Sequence, residues 1–178
     1  AFDYLSTKSI EDEKNLSDPQ ASYEIVFSAK ASDVLTMSTR SVWTSCQNFL
    51  NEENARYSHH VISSSISKYV AIIYATNNKD FRKRGEQMIA RSVVFLLKHN
   101  KSKKPAVFIE KAYGPESNAD YFFDKFKESL EKTFSGLGIK VISSNDDYHN
   151  YSFPYEETGT PYFDTKTLRV EEDPDLYD

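Results

Sequence analysis

The stretch SVVFLLKHNKSKKPAVFIEKAYG, residues 92–114, constrains the fold most, because two apolar runs lie on either side of a short polar turn. Residues 93–97 and 106–109 are rich in strand formers, and the intervening HNKSKKP is polar and ends in proline. This pattern predicts an antiparallel hairpin with a basic tip. Pro105 suits the first residue of the second strand, where a missing N–H does least harm.

An apolar period of three and four residues follows the hairpin and predicts an amphipathic helix over residues 117–137. Ser117 or Asn118 can cap its start, and Gly136 or Gly138 can end it in a left-handed conformation. Charged side chains fall on the other faces. The apolar positions are Ala119, Phe122, Phe123, Phe126, Leu130, Phe134 and Leu137.

Further strand patterns complete the predicted fold. SKYVAIIYAT, residues 67–76, is almost continuously apolar, as in a strand that is buried on both faces. We therefore predict a single α+β domain, in which a mostly antiparallel sheet is covered by one long helix over 117–137. Residues 1–20 are expected to be a loose N-terminal lead-in, residues 21–170 the domain, and residues 171–178 an acidic tail.

Several classes of protein are excluded by what the sequence lacks. One cysteine forbids an intrachain disulfide and a cysteine-rich zinc site, and five glycines leave no phosphate-cradling loop. No apolar run approaches the roughly 20 residues needed to cross a bilayer, and the N-terminus lacks a signal-peptide pattern. We expect no metal, no cofactor and no membrane contact, and a reducing, cytoplasmic setting.

Charge is unevenly distributed along the chain, although the net charge is only −5. Residues 79–111 carry ten Lys and Arg against three acids, whereas residues 145–178 carry ten acids against two bases. A basic segment predicts an anionic partner, either an acidic protein surface or a nucleic acid. The alternative is a solvated loop and helix face near the acidic tail. The candidate binding residues are Arg82, Lys83, Arg84, Lys98, Lys101, Lys103 and Lys104.

Cys46 is the one candidate nucleophile of the thiol type. A reactive thiol needs a neighbouring base, and His59 or His60 could fold back onto it, with Ser45 beside it. No spacing enforces this arrangement, and a lone cysteine near Trp43 is more often a small buried hydrophobe. We therefore favour a structural Cys46. His59 and His60 as metal ligands would need two partners that no spacing in the sequence indicates.

The run IVFSAKASDVLTMSTRSVWTSCQNF resembles a motif of uncharacterised bacteriophage and prophage proteins: an apolar strand, then Asp, Met-Ser and Trp-x-Ser-Cys. The later VAIIYAT and PYFDT segments also resemble that family. This chain departs from the pattern at Gln47, where His or Met is usual, and at 31–32, where a proline is expected. The matching residues are Ile25, Val26, Ser28, Asp33, Met37, Ser38, Trp43, Ser45 and Cys46.

The resemblance implies an origin in a mobile element, and it implies no activity. It leads to the prediction of a phage or prophage accessory protein that binds a protein or nucleic-acid partner without catalysis, in the host cell cytoplasm. The alternative is an enzyme of the Cys/His type, with a nucleophilic site centred on Cys46 and including Ser45, His59 and His60.

Overall fold

A computed structural model describes residues 8–12, 23–39, 41, 43, 45, 48, 50, 58–76, 88–115 and 119–153. Its strands are β1 (Lys8–Asp12), β2 (Tyr23–Ser28), β3 (Val70–Thr76), β4 (Met88–His99), β5 (Pro105–Ile109), β6 (Lys140–Ser143) and β7 (Tyr151–Ser152). Its helices are α1 (Ala31–Thr36), α2 (Ser58–Ile66) and α3 (Ala119–Ser135), with one 3-10 turn at Tyr148–Asn150.

The described strands form one seven-stranded sheet in the order β1-β2-β3-β4-β5-β6, with the short β7 paired to β4. Neighbours from β1 to β5 are antiparallel, whereas β5 and β6 are parallel. Parallel neighbours need a crossover connection, and α3 provides it. The prediction of a single α+β domain with a mostly antiparallel sheet is therefore confirmed.

Residues 92–114, for which the sequence predicted a hairpin, include most of β4 and all of β5, and these two strands pair antiparallel. The N–H of His99 donates to the carbonyl of Lys104 (2.9 Å), and the N–H of Lys103 donates to the carbonyl of His99 (2.9 Å). Lys103 closes the turn with a φ of 59°. The basic tip of this hairpin therefore projects from the end of the sheet where β5 begins.

Helix α3 packs against one face of the sheet. Its side chains share an apolar cluster with Ile25 and Phe27 of β2 and Ile73 of β3, and the rings of Phe27 and Phe134 are 5.9 Å apart. Burying a phenylalanine completely contributes about 1.5–3 kcal/mol. The buried residues of α3 are Phe122, Phe126, Ser129, Leu130 and Phe134.

The opposite face of the sheet carries a second apolar cluster, which packs with the region of α1 and α2. This cluster contains Val34 of α1, Met37 just after α1 and Val61 of α2. They pack with Ile72 and Phe95 of the sheet. The expectation that one long helix covers the sheet is not confirmed, because shorter helices contribute to this second face. We call this side of the sheet the α1–α2 face.

Residues 8–12 lie in the segment for which the sequence indicated a loose lead-in, yet they form edge strand β1 along β2. KSIED contains a single apolar residue, Ile10, and so gives too little alternation to predict a strand. The limits of the domain at 21–170 remain a prediction. The acidic tail, residues 171–178, lies outside the described residues.

Candidate active site

The residues that the sequence proposed for a nucleophilic site are only partly described. Cys46 lies outside the described residues, and so do the side chains of His59 and His60, although both residues belong to α2. Ser45 is described and is buried, with 6% of its surface exposed. A site centred on Cys46 therefore stays a prediction. Of its proposed side chains, only the contacts of Ser45 are described.

Ser45 contacts a buried arginine that is distant in sequence. The Nη2 of Arg91 donates to the Oγ of Ser45 (3.2 Å) and to the Oγ of Ser38 (3.0 Å). The Ser45 hydroxyl also donates to Ser38 Oγ, at 3.3 Å. One guanidinium group thus holds both ends of the segment that follows α1.

Arg91 reaches these hydroxyls because of its position on β4. Side chains alternate between the faces of a strand, so Arg91 shares its face with Val93, Phe95 and Leu97, which belong to the α1–α2 cluster. Arg91 is 0% exposed. Burying a guanidinium costs several kcal/mol unless hydrogen bonds and opposite charge compensate for the lost water. A position this costly is typical of a functional site.

A β-bulge beyond β5 brings Tyr113 beside Arg91. The N–H of Glu110 donates to the carbonyl of Val93 (3.0 Å), and Arg91 and Tyr113 exchange two backbone hydrogen bonds (2.8 and 2.7 Å). On β4, one residue lies between Arg91 and Val93. On the segment after β5, two residues lie between Glu110 and Tyr113, so this segment has one extra residue. The guanidinium Cζ of Arg91 lies 4.9 Å from the centre of the Tyr113 ring, within the range of a cation–π contact.

A second irregularity lies on the other side of β4. Ala75 of β3 is opposite Ala90, but Thr76 is opposite Met88, so one residue of β4 is extra. Arg91 is therefore flanked by a bulge toward each neighbouring strand. Bulges are over-represented next to active sites, where they re-aim side chains.

Gly114 allows the segment after β5 to stay close to β4. A Cβ at this position would lie 3.1 Å from the backbone oxygen of Ile89 and 3.3 Å from the Cβ of Ala90. A larger residue would therefore push the segment outward. The missing side chain thus helps to hold Tyr113 against Arg91.

Glu110 completes the group of polar side chains on this face. It is 1% exposed and pairs with Val93, two residues from Arg91 on the same face. Diagonal neighbours of this kind are roughly 7–8 Å apart. We call Ser38, Ser45, Arg91, Glu110 and Tyr113 the Arg91 cluster. It combines a fixed positive charge, a carboxyl group and three hydroxyl groups.

The Arg91 cluster lies toward the end of the sheet at which β5 and β6 finish. These are the one parallel pair among the described strands, and α3 returns between them, so its N-terminus lies at the same end. Carboxyl ends of parallel strands and helix N-termini both favour anionic ligands. Both features favour an anion at this end of the sheet.

The side chain of Asp146 binds the last residue of β6, Ser143. Its Oδ2 accepts hydrogen bonds from the N–H of Ser143 (2.8 Å) and from the Ser143 hydroxyl (3.0 Å), and Lys127 Nζ lies 3.8 Å away. Burial alone raises the pKa of Asp146. The two hydrogen bonds from Ser143 and the charges of Lys127 and Lys140 together bring that pKa below its ordinary value.

The motif that resembles phage proteins meets at the Arg91 cluster. Ser38 and Ser45 bind the guanidinium group of Arg91, Met37 is 1% exposed, and Trp43 packs against the same apolar cluster. The spacing of Met-Ser and Trp-x-Ser thus has a structural reason, since it places two hydroxyls on one buried charge.

Sequence reasoning missed Arg91, Glu110 and Tyr113 as site residues and counted the first two only as charges. The available signal was the pattern MIARSVVFLL, in which one arginine interrupts a run of strand formers. A charged residue within such a run is almost never fully buried unless it is paired. Its partners could not be read from the sequence, because they lie 46 and 53 residues away.

The four predicted basic binding residues that the structure describes lie away from the Arg91 cluster. Lys98, Lys101, Lys103 and Lys104 are on the β4–β5 hairpin, at the end of the sheet opposite to the Arg91 cluster. The segment 82–84 lies outside the described residues. Convergence of these residues with the hairpin lysines stays a prediction.

Two features are absent from the parts of the chain that the structure describes. Within those parts, no group of three or more His, Cys, Asp or Glu side chains could hold a metal ion. No described helix is long and apolar enough to span a bilayer.

No protein-family model and no curated protein matches the chain. Among solved structures, it is similar to an aminoglycoside acetyltransferase from an uncultured soil metagenomic sample, with 12% identity over 70% of this chain and 78% of that chain and a TM-score of 0.47. It is also similar to a ribosomal-protein-alanine N-acetyltransferase from Brucella melitensis biovar Abortus 2308 (8% identity, 72% and 85% covered, TM-score 0.44). A third is an aminoglycoside N-acetyltransferase in complex with CoA (10%, 80% and 95%, TM-score 0.44).

These neighbours correct the predicted function. The sequence led to a phage accessory protein that binds a partner without catalysis, but each of these structures is named as an acetyltransferase. These structures therefore contradict the prediction of binding without catalysis. At identities of 8–12% and TM-scores below 0.5, the likeness assigns no substrate and no mechanism to this chain.

Proposed function

We propose that this chain is an acyltransferase, which moves an acyl group from a phosphate-bearing thioester donor to an amine beside the Arg91 cluster. One observation carries the proposal. The Arg91 cluster, which is buried except for the half-buried Tyr113, lies toward the end of the sheet where the parallel strands β5 and β6 finish and α3 begins. A position for an anionic donor and the groups assigned to catalysis thereby lie at the same end of the sheet.

The donor is assigned to the end of β5 and β6 for an electrostatic reason. The first turn of α3 has N–H groups without partners inside the helix, and the helix dipole places partial positive charge there. Phosphate groups bind well to such an end. The thioester carbonyl of a donor held there would then extend toward the α1–α2 face.

Arg91 is assigned to the charge that develops during transfer. An amine that attacks a thioester gives a tetrahedral intermediate with a negative oxygen, and a preorganised cation lowers its free energy in a site that excludes water. Ser38 and Ser45 keep the guanidinium group in one orientation. Arg91 would thus contribute through a charge that is already in place before the reaction.

Glu110 and Tyr113 are assigned to the two proton transfers. The amine must lose a proton as the amide bond forms, and the thiolate of the donor must gain one as the C–S bond breaks. A carboxylate can accept the first proton, and a phenol can donate the second. Both side chains share the buried face with Arg91.

The similar structures contribute only the first donor to test, since one of them was solved with CoA. The experiment mixes the protein with acetyl-CoA and a panel of amines, including aminoglycosides and peptides with free N-termini. Release of the CoA thiol is followed with a thiol reagent. We expect release that depends on the amine, and a loss of about 100-fold in kcat/KM for Arg91→Lys.

Two controls separate catalysis from folding. Lys132→Gln removes an exposed charge from α3 and should leave kcat/KM unchanged. Tyr113→Phe keeps the ring against Arg91 and should lower kcat while leaving the melting temperature close to that of the parent. The proposal fails if neither CoA nor acetyl-CoA raises the melting temperature and no amine accelerates thiol release.

Cys46 provides a second candidate mechanism, as the thiol nucleophile that the sequence offers. A thiol becomes a strong nucleophile when a neighbouring base takes its proton. In this mechanism the Cys46 thiolate attacks the thioester, the CoA thiolate leaves, and the acyl group passes to the amine. His59 or His60 would accept the thiol proton.

Mass spectrometry distinguishes the two mechanisms. Under the second one, protein mixed with acetyl-CoA alone gains one acetyl group, which hydroxylamine removes and which Cys46→Ala abolishes. Under the first one, no such adduct forms and Cys46→Ala retains activity. Slow alkylation of the thiol at neutral pH would agree with the structural role that the sequence favours.

A further inference from the structure

We infer that a second surface, at the end of the sheet opposite to the Arg91 cluster, binds single-stranded nucleic acid. We call it the hairpin-tip surface and define it by Lys101, Lys103, Lys104, His149 and Tyr151. This inference goes beyond the proposed acyl transfer. Its test requires no acyl donor, so the two proposals succeed or fail separately.

The lysines of the hairpin-tip surface are held by a well-defined turn. Four residues connect His99 to Lys104, and Lys103 takes the left-handed conformation. The His99 ring supports the turn, because its Nδ1 accepts the N–H of Ser102 (3.1 Å). Lys101, Lys103 and Lys104 are exposed, and none of them forms an ion pair with another described residue. Three cations are therefore presented to solvent from a rigid scaffold.

Two ring side chains lie on the segment that is hydrogen-bonded to this hairpin. The N–H of Asn100 donates to the carbonyl of Asn150 (2.8 Å), and this contact joins the hairpin to the turn at Tyr148–Asn150. His149 is exposed on that turn, and the buried Tyr148 lies behind it with ring centres 4.3 Å apart.

The second ring belongs to Tyr151, which is half-buried. It meets the ring of His99 at 5.0 Å with an interplanar angle of 82°. One ring is thus open to solvent and the other is fixed at the base of the hairpin. The surface combines cations with rings.

This combination favours single-stranded nucleic acid over an acidic protein. Lysines contact the phosphates of a strand, and exposed rings stack against its unpaired bases. Carboxylates would use the cations but would leave the rings without a role. Asp147, an exposed acid just before the turn at 148–150, accepts a hydrogen bond from the side chain of Asn150 (2.6 Å). Even with this carboxylate counted, the three exposed lysines leave the surface with a net positive charge.

The experiment measures fluorescence anisotropy of labelled 12-nucleotide rU and dT strands. Log Kd should change linearly with log salt with a slope of about 2, since each phosphate neutralised on a single strand contributes about 0.7. The triple variant Lys101→Gln, Lys103→Gln, Lys104→Gln should bind at least about tenfold more weakly and lose most of the salt dependence. Glutamine removes the charge, keeps a polar unbranched side chain and is no more strained than lysine at position 103.

A matched control has the same change in charge elsewhere. Lys30, Lys68 and Lys132 are exposed on other parts of the molecule, and their triple change to Gln should leave the affinity within twofold. Equal losses in the two triple variants would reduce the effect to net charge and overturn the inference. Melting temperatures of all variants establish that each one is folded.

His149→Ala tests the rings separately. Loss of one stacked base should weaken binding about tenfold without changing the salt slope. Polyglutamate is the competing probe. If it binds as tightly as the strands, and if His149→Ala affects neither ligand, the surface recognises an acidic protein and the nucleic-acid inference is wrong. Absence of binding to any strand at low salt would also overturn it.

Discussion

At the scale of single residues, one guanidinium group determines how the segment after α1 lies on the sheet. Arg91 donates through the same Nη2 atom to Ser38 and to Ser45. Hydrogen bonds that involve a charged group contribute about 1.5–3 kcal/mol, and their loss leaves a buried charge less well solvated. The stability of the protein should therefore depend on two small hydroxyl groups.

Ser38→Ala should lower the free energy of unfolding by about 1.5–3 kcal/mol, because it removes an acceptor of Arg91 and of the Ser45 hydroxyl. Urea unfolding measures this change. Ser65→Ala is the control, since the Ser65 hydroxyl is only bonded to a carbonyl of its own helix. That control should change stability by less than about 0.5 kcal/mol.

Combining Ser38→Ala with Ser45→Ala tests whether the two hydroxyls act through the same charge. Residues that share a partner are non-additive by about 0.5–3 kcal/mol. Additive losses, or a loss below about 0.5 kcal/mol for Ser38→Ala, would mean that the guanidinium group is held by other contacts.

The sequence predicted only those residues of the site that lie close together in the chain. The motif singled out Ser38 and Ser45 because both lie within one short stretch. Arg91 contacts them across 53 and 46 residues, and no periodicity specifies such a contact. The role of Tyr113 depends on a bulge, which follows from pairing with β4 and not from the local sequence.

At the scale of secondary-structure elements, those with a strong repeating pattern of apolar residues could be predicted. The β4–β5 hairpin and α3 each bury an alternating or helical stripe, so their patterns are visible in the sequence alone. β1 was missed because its five residues contain one apolar side chain. The bulges that flank Arg91 were missed because register is a property of two strands together.

Gly114→Ala should lower the free energy of unfolding by about 1–3 kcal/mol, because its Cβ would meet backbone of β4 at 3.1 Å. Thermal or urea unfolding gives the value. Gly136→Ala is a close control, since nothing lies within 4 Å of its Cβ and its φ is not positive. We expect that change to be neutral or to stabilise by up to about 1 kcal/mol.

The same substitution should also reduce acyl transfer, because it moves Tyr113 away from Arg91. A stable Gly114→Ala protein with full activity would separate the bulge from the proposed site. Equal effects of the two glycine substitutions on stability would show that the close approach to β4 is not what position 114 requires.

At the scale of the whole molecule, the two proposed sites lie at opposite ends of the sheet. The proposed transfer site lies where β5 and β6 finish, and the hairpin-tip surface lies where β5 begins. The sequence predicted the hairpin and the crossover helix but not the parallel pairing, since strand order depends on contacts between distant segments. That pairing places α3 and the end of β6 together, and Asp146 joins them.

Asp146 should make stability depend on pH in an acidic window. Its folded pKa is below its ordinary value, despite burial, because of hydrogen bonds from Ser143 and the charges of Lys127 and Lys140. A carboxyl group with a lowered folded pKa stabilises the protein above its unfolded pKa, near 4. That contribution is lost as the pH falls through the folded pKa.

Asp146→Asn should therefore lower the free energy of unfolding at pH 7, and the difference from the parent should shrink steadily below about pH 4. Chemical unfolding at several pH values measures both curves. Glu131→Gln, an exposed position on α3, should show no such convergence. Parallel curves for Asp146→Asn and the parent down to pH 2 would mean that the carboxylate does not fasten β6. Because Lys127 belongs to α3, 1 M salt should reduce the loss at pH 7 only in part, since hydrogen bonds from Ser143 are screened less than the ion pair.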